Sequence, residues 1–599
     1  MAQETAWDAE VDLLVAGAGP GGMAAALVGV LEGLDVMVCE KSGQIGGTAA
    51  TSAGTLWIPG NTQSRRAGYD DSPEKAETYM DALVGGAPAD SPEHGRGRDL
   101  RSVYLATGPT AIDYYDTKTD VTFLACGRHP DYKPNMAGAA ITGRAIVPAP
   151  FDGRLLGEDF RLVRPPIGEF MIFGGMMVGK DDIPRLIGRF QSVANFTHAA
   201  KLLLRYLSDR VKHPRGTRIV MGNALVARLF YSLRKHKVPV RLDTSIRAIL
   251  REDGRADGRV VGAVLDSGGR TLRVRARKGV VLATGGFAHN KEFRSAFMPQ
   301  PTPVHSLACD SDTGDGLTLA RGIGARIDGE GHRGGAFWTP VSVTRKAAGW
   351  KGLFPHLSLD RAKPGLIAVN AAGRRFVNEG ASYHDFVEAM FESHRTVPTM
   401  PAWLVCDAAF VAKYGLGVVH PGTTNLKPHE ASGYLTTAPT LEELARKIGV
   451  DAAGLADSVR RHNGFALTGS DLDFGKGDTE LNRFNGDPAH GPNPCLKPIE
   501  TAPFVAVAVW PAEIACSAGL ATDVDGQVLD ENGRVIGGLY ACGNDMASVM
   551  AGTYPGPGTT LGPALVFAYR VAMHAAGRSD AAGGLGAGRD AVAERAAAR

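Results

Sequence analysis

The feature that most constrains this chain lies in its first forty residues. Val11-Asp12-Leu13-Leu14-Val15-Ala16 is a short β-forming run that leads directly into Gly17-Ala18-Gly19-Pro20-Gly21-Gly22. An alanine-rich stretch over 23–31 follows, then a second β-forming run, Asp35 to Cys39, closed by Glu40. Strand, glycine turn, helix, strand and acid in this order predict a dinucleotide-binding βαβ unit. Gly17 suits the tight turn, Gly19 and Gly21 the close approach of a pyrophosphate, and Gly22 the packing of helix on sheet. The helix N-terminus offers N–H groups and a positive dipole end to phosphates. Glu40 is placed to accept bonds from ribose hydroxyls. A GxGxxG alone would read equally well as a glycine-rich turn; the ordered set is what carries the reading.

The 599 residues exceed the roughly 250–300 at which single cores stop growing, so two domains are expected. The 77 glycines fit many tight turns and backbone pressed against a ligand. A net charge of +2 supplies no basic field for nucleic acid. Cys39, Cys126, Cys309, Cys406, Cys495, Cys516 and Cys542 follow no metal or disulfide spacing and are expected as reduced thiols in a cytoplasmic protein. No metal site is expected. The N-terminus lacks a signal-peptide pattern, and no apolar run is long enough to cross a membrane.

Directly after Glu40 comes Lys41-Ser42-Gly43-Gln44-Ile45-Gly46-Gly47-Thr48-Ala49-Ala50-Thr51-Ser52-Ala53-Gly54. It resembles the second dinucleotide loop of the fumarate reductase and succinate dehydrogenase flavoprotein superfamily. Gly279-Val-Val-Leu-Ala-Thr-Gly-Gly286, Gly538-Leu-Tyr-Ala-Cys-Gly-Asn544 and Gly373-Arg-Arg-Phe-Val-Asn-Glu379 resemble later segments of the same superfamily. The resemblance implies non-covalent FAD, held by Gly17, Gly19, Gly21, Gly22, Glu40, Lys41, Gly46, Gly47, Thr48, Ser52 and Gly54. Ala283, Thr284, Gly285, Asp315, Gly543, Asn544, Thr560 and Leu561 complete the implied set. A helix from about Gly562 would turn its positive end to the flavin and stabilise charge on the reduced ring. No second GxGxxG unit suggests a separate nicotinamide site.

The implied fold class is α/β: a Rossmann-like FAD-binding domain, with a parallel sheet and a β-meander, and an inserted α+β substrate-capping domain. The expected boundaries are 1–335 and 501–576 for the FAD-binding domain, 336–500 for the cap, and 577–599 for a disordered tail. Strands are expected at Val238–Ser245 and Val260–Leu265, and a helix capped by Thr440 with Glu443 three residues on. Residues 150–215 form an extra excursion with a basic amphipathic stretch, Lys201 to Lys212. Two readings stay open for it. A solvated surface helix is favoured; the alternative is a helix lying on a membrane surface that admits lipophilic substrates. The expected location is cytoplasmic, with attachment at the inner membrane face left open.

The distinctive peptide is Thr553-Tyr554-Pro555-Gly556-Pro557-Gly558-Thr559-Thr560-Leu561-Gly562. Its prolines stiffen a loop between the segment that reaches the flavin and the helix that faces it. Here the chain resembles the 3-ketosteroid Δ1-dehydrogenases, which carry Y-P-G-P-G at this place. Asn378-Glu379-Gly-Ala-Ser382-Tyr383 and Pro130-Asp131-Tyr132 match the other two tyrosine motifs, with Ser382 where the family has proline. Each tyrosine alone would read as a half-buried aromatic.

The resemblance implies that Tyr554 O–H and Gly558 N–H bind the C3 carbonyl as an oxyanion hole, worth about 3–4 kcal/mol per donor. Tyr383 would take the C2 proton, and C1 would pass a hydride to flavin N5, giving a Δ1-3-ketosteroid. Holding tyrosinate at pH 7 costs roughly 4 kcal/mol, and a hydrogen bond from Tyr132 is the implied helper. The implied partners are a steroid-like hydrophobic substrate and an external electron acceptor of the quinone type.

A Δ4-dehydrogenase or a dehydrogenase of another cyclic ketone is the near alternative. A fumarate-reductase-like ene-reductase is more distant, since Val419-His420-Pro421-Gly422 keeps only a fragment of that signature. A non-catalytic flavin-binding protein is the other distant reading.

Overall fold

The opening apolar run is buried on both faces, as the inner strand of a parallel sheet must be. Strand β1 (Ala9–Ala16) has Leu13, Leu14 and Val15 without exposed surface. Helix α1 (Pro20–Leu31) follows, and β2 (Val36–Cys39) returns parallel to β1. Three alanines and three glycines make up half of α1, which is enclosed on nearly every side. A Cβ on Gly22 would lie 2.0 Å from Gly17 O, so only glycine lets the helix approach the turn. The computed structural model describes residues 6–85, 92–168, 171–179, 182–255, 257–329, 334–345 and 351–578. The tail expected to be disordered lies outside them from residue 579 onward.

The excursion contains α2 (Val193–Asp209), which starts eight residues before the basic stretch marked in the sequence, with Ser192 as its cap. Helix α3 (Met221–Lys235) then packs on α1 and brings the chain back to the first sheet. That sheet adds β3 (Val240–Arg241) parallel to β2. The antiparallel meander β4 (Thr244–Arg251), β5 (Val260–Ser267) and β6 (Arg270–Leu282) completes it. Strand β6 also pairs parallel with β1. The expected strand over 238–245 is split between β3 and β4, whose junction holds Asp243 at a positive φ of 50°.

A second sheet has the order β8 (Lys351–Pro355), β7 (Ala336–Arg345), β11 (Phe504–Cys516), β10 (Ala402–Asp407), β9 (Leu366–Val369), all antiparallel. Its central strand β11 falls in the stretch assigned from sequence to the FAD-binding return. The alternation in Phe504-Val-Ala-Val-Ala-Val-Trp510 suits either sheet, and the partners decide. Helix α4 (Tyr383–His394) lies against β7. The helix over Leu441–Ile448 begins where Thr440 accepts from Glu443 N at 3.2 Å, the cap read from sequence. The chain then rejoins the first sheet through β12 (Val535–Ala541), parallel to β6, and ends in α5 (Leu561–Ala575) packed on α1.

Candidate active site

The ends of β1, β2, β6 and β12 open on one cavity of about 1990 Å³, well beyond the roughly 300–1,000 Å³ of a pocket for one small ligand. Every cofactor residue named from sequence lines it except Gly22, which packs the helix instead. A Cβ on Gly19, Gly47 or Gly543 would meet no atom within 4 Å. These three wall positions therefore keep open space for a ligand. The N-caps of α1 and α5 are Gly19 and Thr560, neither of which makes a side-chain cap bond. Two positive helix ends thus remain for groups in the cavity. This cradle fits FAD: Gly17 to Gly21 and Gly46 to Gly54 would hold the pyrophosphate side and Glu40 the ribose.

Some of these side chains also support the cradle. Glu40 accepts from Ala18 N at 2.8 Å and Ser42 N at 2.9 Å, which ties both glycine loops to one carboxylate. Lys41 Nζ donates to Asp315 at 2.8 Å and to Thr313. Thr48 Oγ1 donates to Asp312 at 2.6 Å and accepts from Cys309 N at 2.7 Å. Asp545 accepts from Thr284 N at 2.5 Å and Gly286 N at 2.9 Å. Burial pushes Asp312 up to about 7, with Asp545 and Glu40 adding to the rise. Asp312 and Asp545 were not singled out in the sequence. Asp545 sits one residue past the glycine segment that was read, and Asp312 carries no motif.

The three tyrosines meet at the other end of the cavity. Tyr132 Oη lies 3.2 Å from Tyr383 Oη, and Tyr383 Oη 2.9 Å from Tyr554 Oη. Their ring centroids are 5.3–5.4 Å apart. Each arrives from a separate element. Tyr383 is the first residue of α4, and Ser382, the departure from the family's proline, caps that helix by accepting from Asp385 N at 3.1 Å. Tyr132 and Tyr554 sit on loops that share one carbonyl, Pro555 O, which accepts from Tyr132 N and from Tyr79 Oη, both at 2.8 Å. Beneath them Asp131 accepts from Trp57 Nε1 at 2.8 Å and pairs with buried Arg144 at 2.7 Å. Gly558 has φ of 98°, and a Cβ there would lie 2.5 Å from Thr55 O; only glycine fits.

The sequence motif Gly373–Glu379 now has a physical role. Arg375 grips Glu379 through two 2.8 Å bonds and Asp471 through bonds of 3.0 and 2.8 Å, all buried. Burial alone would raise Glu379, but Arg375 and Lys476 outweigh it and hold the carboxyl near about 2. This clamp fixes the turn that presents Tyr383.

A second cation was missed. Arg361 is buried and donates only to carbonyls: His356 O at 2.7 Å, Leu357 O and Glu379 O at 2.9 Å, and Ala381 O at 3.2 Å. No sequence signal marks it.

Burial raises all three phenols, Tyr383 and Tyr554 well above 10. Negative charge on Tyr132 would raise Tyr383 further, while the hydrogen bond to Tyr554 and the charge of Arg361 lower it. Tyr132 Oη donates to Tyr383 Oη at 3.2 Å, and a donor in that position favours the ionised form of the acceptor.

Among the described residues no helix is long and apolar enough to cross a membrane. Residues 12–561 match the family described as FAD binding domain. The chain is 39% identical to 4-oxocyclohex-2-ene-1-carboxylate 5-dehydrogenase of Sinomonas cyclohexanicum, over 98% of each chain. It is 34% identical to 3-oxosteroid 1-dehydrogenase of Mycolicibacterium smegmatis, over 94% of this chain and 97% of the relative. The crystal structure of 3-ketosteroid Δ1-dehydrogenase from Sterolibacterium denitrificans, in complex with 1,4-androstadiene-3,17-dione, superposes with a TM-score of 0.86. That pair is 36% identical and covers 95% of this chain and 100% of the other. With the FAD cradle and three joined tyrosines already in place, the chain belongs to the 3-oxosteroid 1-dehydrogenase family of FAD-dependent oxidoreductases acting on CH–CH bonds, within the fumarate reductase flavoprotein superfamily.

Proposed function

We propose that this enzyme desaturates the C1–C2 bond of 3-ketosteroids, with the second sheet and its helices acting as a cap over the ring system. The observation that carries the reading is the chain of three phenol oxygens at 3.2 and 2.9 Å beside Gly558. Tyr554 Oη would donate a hydrogen bond to the C3 carbonyl oxygen, and Gly558 N–H would be the second donor. These two would stabilise the developing enolate. Tyr383, at the positive end of α4 and near Arg361, would remove the C2 proton. Bound FAD supplies the hydride acceptor. Leu357, Leu359, Leu416, Val418, Leu481 and Phe484 line the cavity beyond the tyrosines, an apolar wall suited to fused hydrocarbon rings. Reoxidation falls to an external acceptor, which we place among quinones because the sequence carries no second dinucleotide motif.

A smaller cyclic keto acid is the second reading, favoured by the 39% identical relative. Lys363 lines the cavity, donates to Gly486 O at 2.7 Å and forms no ion pair among the described residues, so it could take a substrate carboxylate. Anaerobic mixing with a panel of both substrate classes tests the assignment. Rapid flavin bleaching with ring-A-saturated 3-ketosteroids and a Δ1 product is expected. Bleaching only with cyclohexanone carboxylates would transfer the assignment to the second reading.

A further inference from the structure

We infer that a buried relay outside the reaction centre, Tyr434–Ser342–His356–Asp360, latches the apolar wall of the cavity and so sets which ring system fits. Ser342 comes from β7, His356 and Asp360 from the segment that leaves β8, and all four side chains are buried. Tyr434 Oη lies 2.7 Å from Ser342 Oγ, Ser342 Oγ 2.8 Å from His356 Nε2, and His356 Nδ1 2.6 Å from Asp360 Oδ2. Backbone groups fix the direction of the chain. Val418 N donates to Tyr434 Oη at 3.1 Å, and Asp360 accepts from Arg361 N at 2.8 Å and Gly417 N at 3.2 Å. A carboxyl with that many donors is ionised, so it ends the relay as acceptor. His356 then donates through Nδ1 and accepts from Ser342 through Nε2, and Ser342 accepts from Tyr434; each donor has its acceptor.

Serine, histidine and aspartate at these distances are also the parts of a hydrolytic triad, and the packing rules that use out. Ser342 has no exposed surface, does not line the cavity and already accepts from Tyr434. A Cβ on Gly417 would lie 1.9 Å from Tyr434 Oη and 3.3 Å from His356 Cε1. The turn that carries Gly417 therefore seals the relay, and no acyl group reaches the serine. That turn closes on itself through Leu416 N to Val419 O at 2.9 Å and Val419 N to Leu416 O at 3.0 Å. Its two remaining amides, Gly417 N and Val418 N, are the two that the relay takes. Among the described residues no other backbone hydrogen bond of 416–419 leaves the turn.

What the relay holds is the wall beyond the tyrosines. Leu357 and Leu359 lie between His356 and Asp360, and Leu416 and Val418 lie on the turn that Asp360 and Tyr434 clamp; all four line the cavity. Asp360 also ties this wall to Arg361, whose side chain reaches Glu379 O and Ala381 O just before Tyr383. One carboxylate thus holds the wall and the support of the base in a common register. Apolar walls discriminate by shape, roughly tenfold or more for each methylene that fits or clashes, and only when the wall does not yield. Hydrocarbon side chains on a free turn would yield. Tyr434, Ser342, His356 and Asp360 are therefore positioning residues that act through the leucines and valine they carry. The specificity rests on the proposed ketone substrate; the latch on the turn does not.

The test combines amide exchange with anaerobic flavin bleaching in the full-length holoenzyme. Tyr434→Phe keeps the ring and removes the acceptor of Val418 N and the donor to Ser342. Peptides covering 415–419 should exchange at least about tenfold faster in this variant, while those covering Tyr383 and the glycine loops keep their native rates. Across 3-ketosteroids and smaller cyclic ketones, the half-saturating concentration should rise about tenfold for the preferred ring system. The preference between ring systems should narrow by a similar factor, with the limiting rate changed less than about threefold. Ser342→Ala breaks the relay at its centre and repeats both measurements should Tyr434→Phe not fold. Native exchange at 415–419 overturns the latch. Faster exchange with native half-saturation and native preference overturns the role in specificity, and so does a fall confined to the limiting rate. If no ketone bleaches the flavin of the native enzyme, the substrate reading fails, and the exchange rates still decide the latch.

Discussion

Replacing Arg361 by methionine isolates what the buried cation does for Tyr383. Both oxygens of its neighbour Asp360 are engaged elsewhere, Oδ1 with the Arg361 backbone N at 2.8 Å and Oδ2 with His356 at 2.6 Å and Gly417 N at 3.2 Å. The guanidinium itself faces four carbonyls, so its charge is only partly offset. Burial lowers its own pKa to about 10, which leaves it protonated at neutral pH. The charge of Arg361 lowers Tyr383; for a generic separation of roughly 7 Å and an effective dielectric of about 20, such an effect is about 2 kcal/mol, or about 1.5 pKa units. The other charged or titratable groups around Tyr383 are Tyr132, Tyr554, Asp360, Glu379, His384 and Asp385, the last paired with Lys133 at 2.8 Å, and Arg144 beneath Tyr132 is paired with Asp131 at 2.7 Å. None of these is a free cation.

The acid limb of the pH profile for flavin bleaching should therefore move up by about 1–2 units in Arg361→Met. Arg361→Lys, which keeps the charge, should move it by less than about half a unit. Methionine also strands four carbonyls, each worth about 1 kcal/mol, so flavin content and melting temperature must be recorded alongside. A methionine variant with full flavin and the native acid limb would refute the reasoning. Should that variant fail to fold, a lysine variant displaced by more than one unit refutes it equally.

Tyr383→Phe should abolish turnover and leave yellow, folded protein; normal bleaching in that variant removes the base from Tyr383. Tyr554→Phe should slow bleaching by about 10²–10³, the effect of one lost oxyanion donor, and an effect confined to thermal stability would make the loop structural. Glu379→Gln should destabilise by about 3–5 kcal/mol, since it leaves Arg375 and Lys476 underpaired. Because folding lowers Glu379 from 4.5 to about 2, its contribution is complete above about pH 4.5 and is lost as pH falls toward 2, about 3 kcal/mol in all. Thermal melts from pH 7 to 3 should show that slope in the native enzyme and not in the glutamine variant.

The dinucleotide unit was legible because each of its demands is local: a turn glycine, a helix start and an acid at a strand end. The tyrosines were legible only through motifs, since residues 132, 383 and 554 meet by tertiary packing alone. Asp312, Asp545 and Arg361 left no trace. A buried charge is defined by what surrounds it, and Arg361 is solvated by carbonyls that every sequence has. The stretch that holds β11 was assigned to the FAD-binding return, and its pairing with β7 and β10 could not be read from sequence, since alternation specifies a face and not a partner. Helix α2 shows the same limit: spacing reveals that a helix has two sides, and only the packing of Leu202, Tyr206 and Asp209 shows which is inside.

The long strand β11 bears on how this enzyme could open. Its first half pairs with β10 and its second with β7, and at Cys516 its Sγ accepts from Phe287 N at 3.2 Å, beside the Gly285–Gly286 wall of the cofactor site. The central strand of the second sheet therefore ends directly against the wall of the cofactor site. A swing of the second sheet as one body would have to break that contact or drag the flavin wall along. The segments at 354–360 and 414–422 and the excursion also line the cavity. Selection for a new ring system can then act on those edges while the chemistry beneath stays rigid.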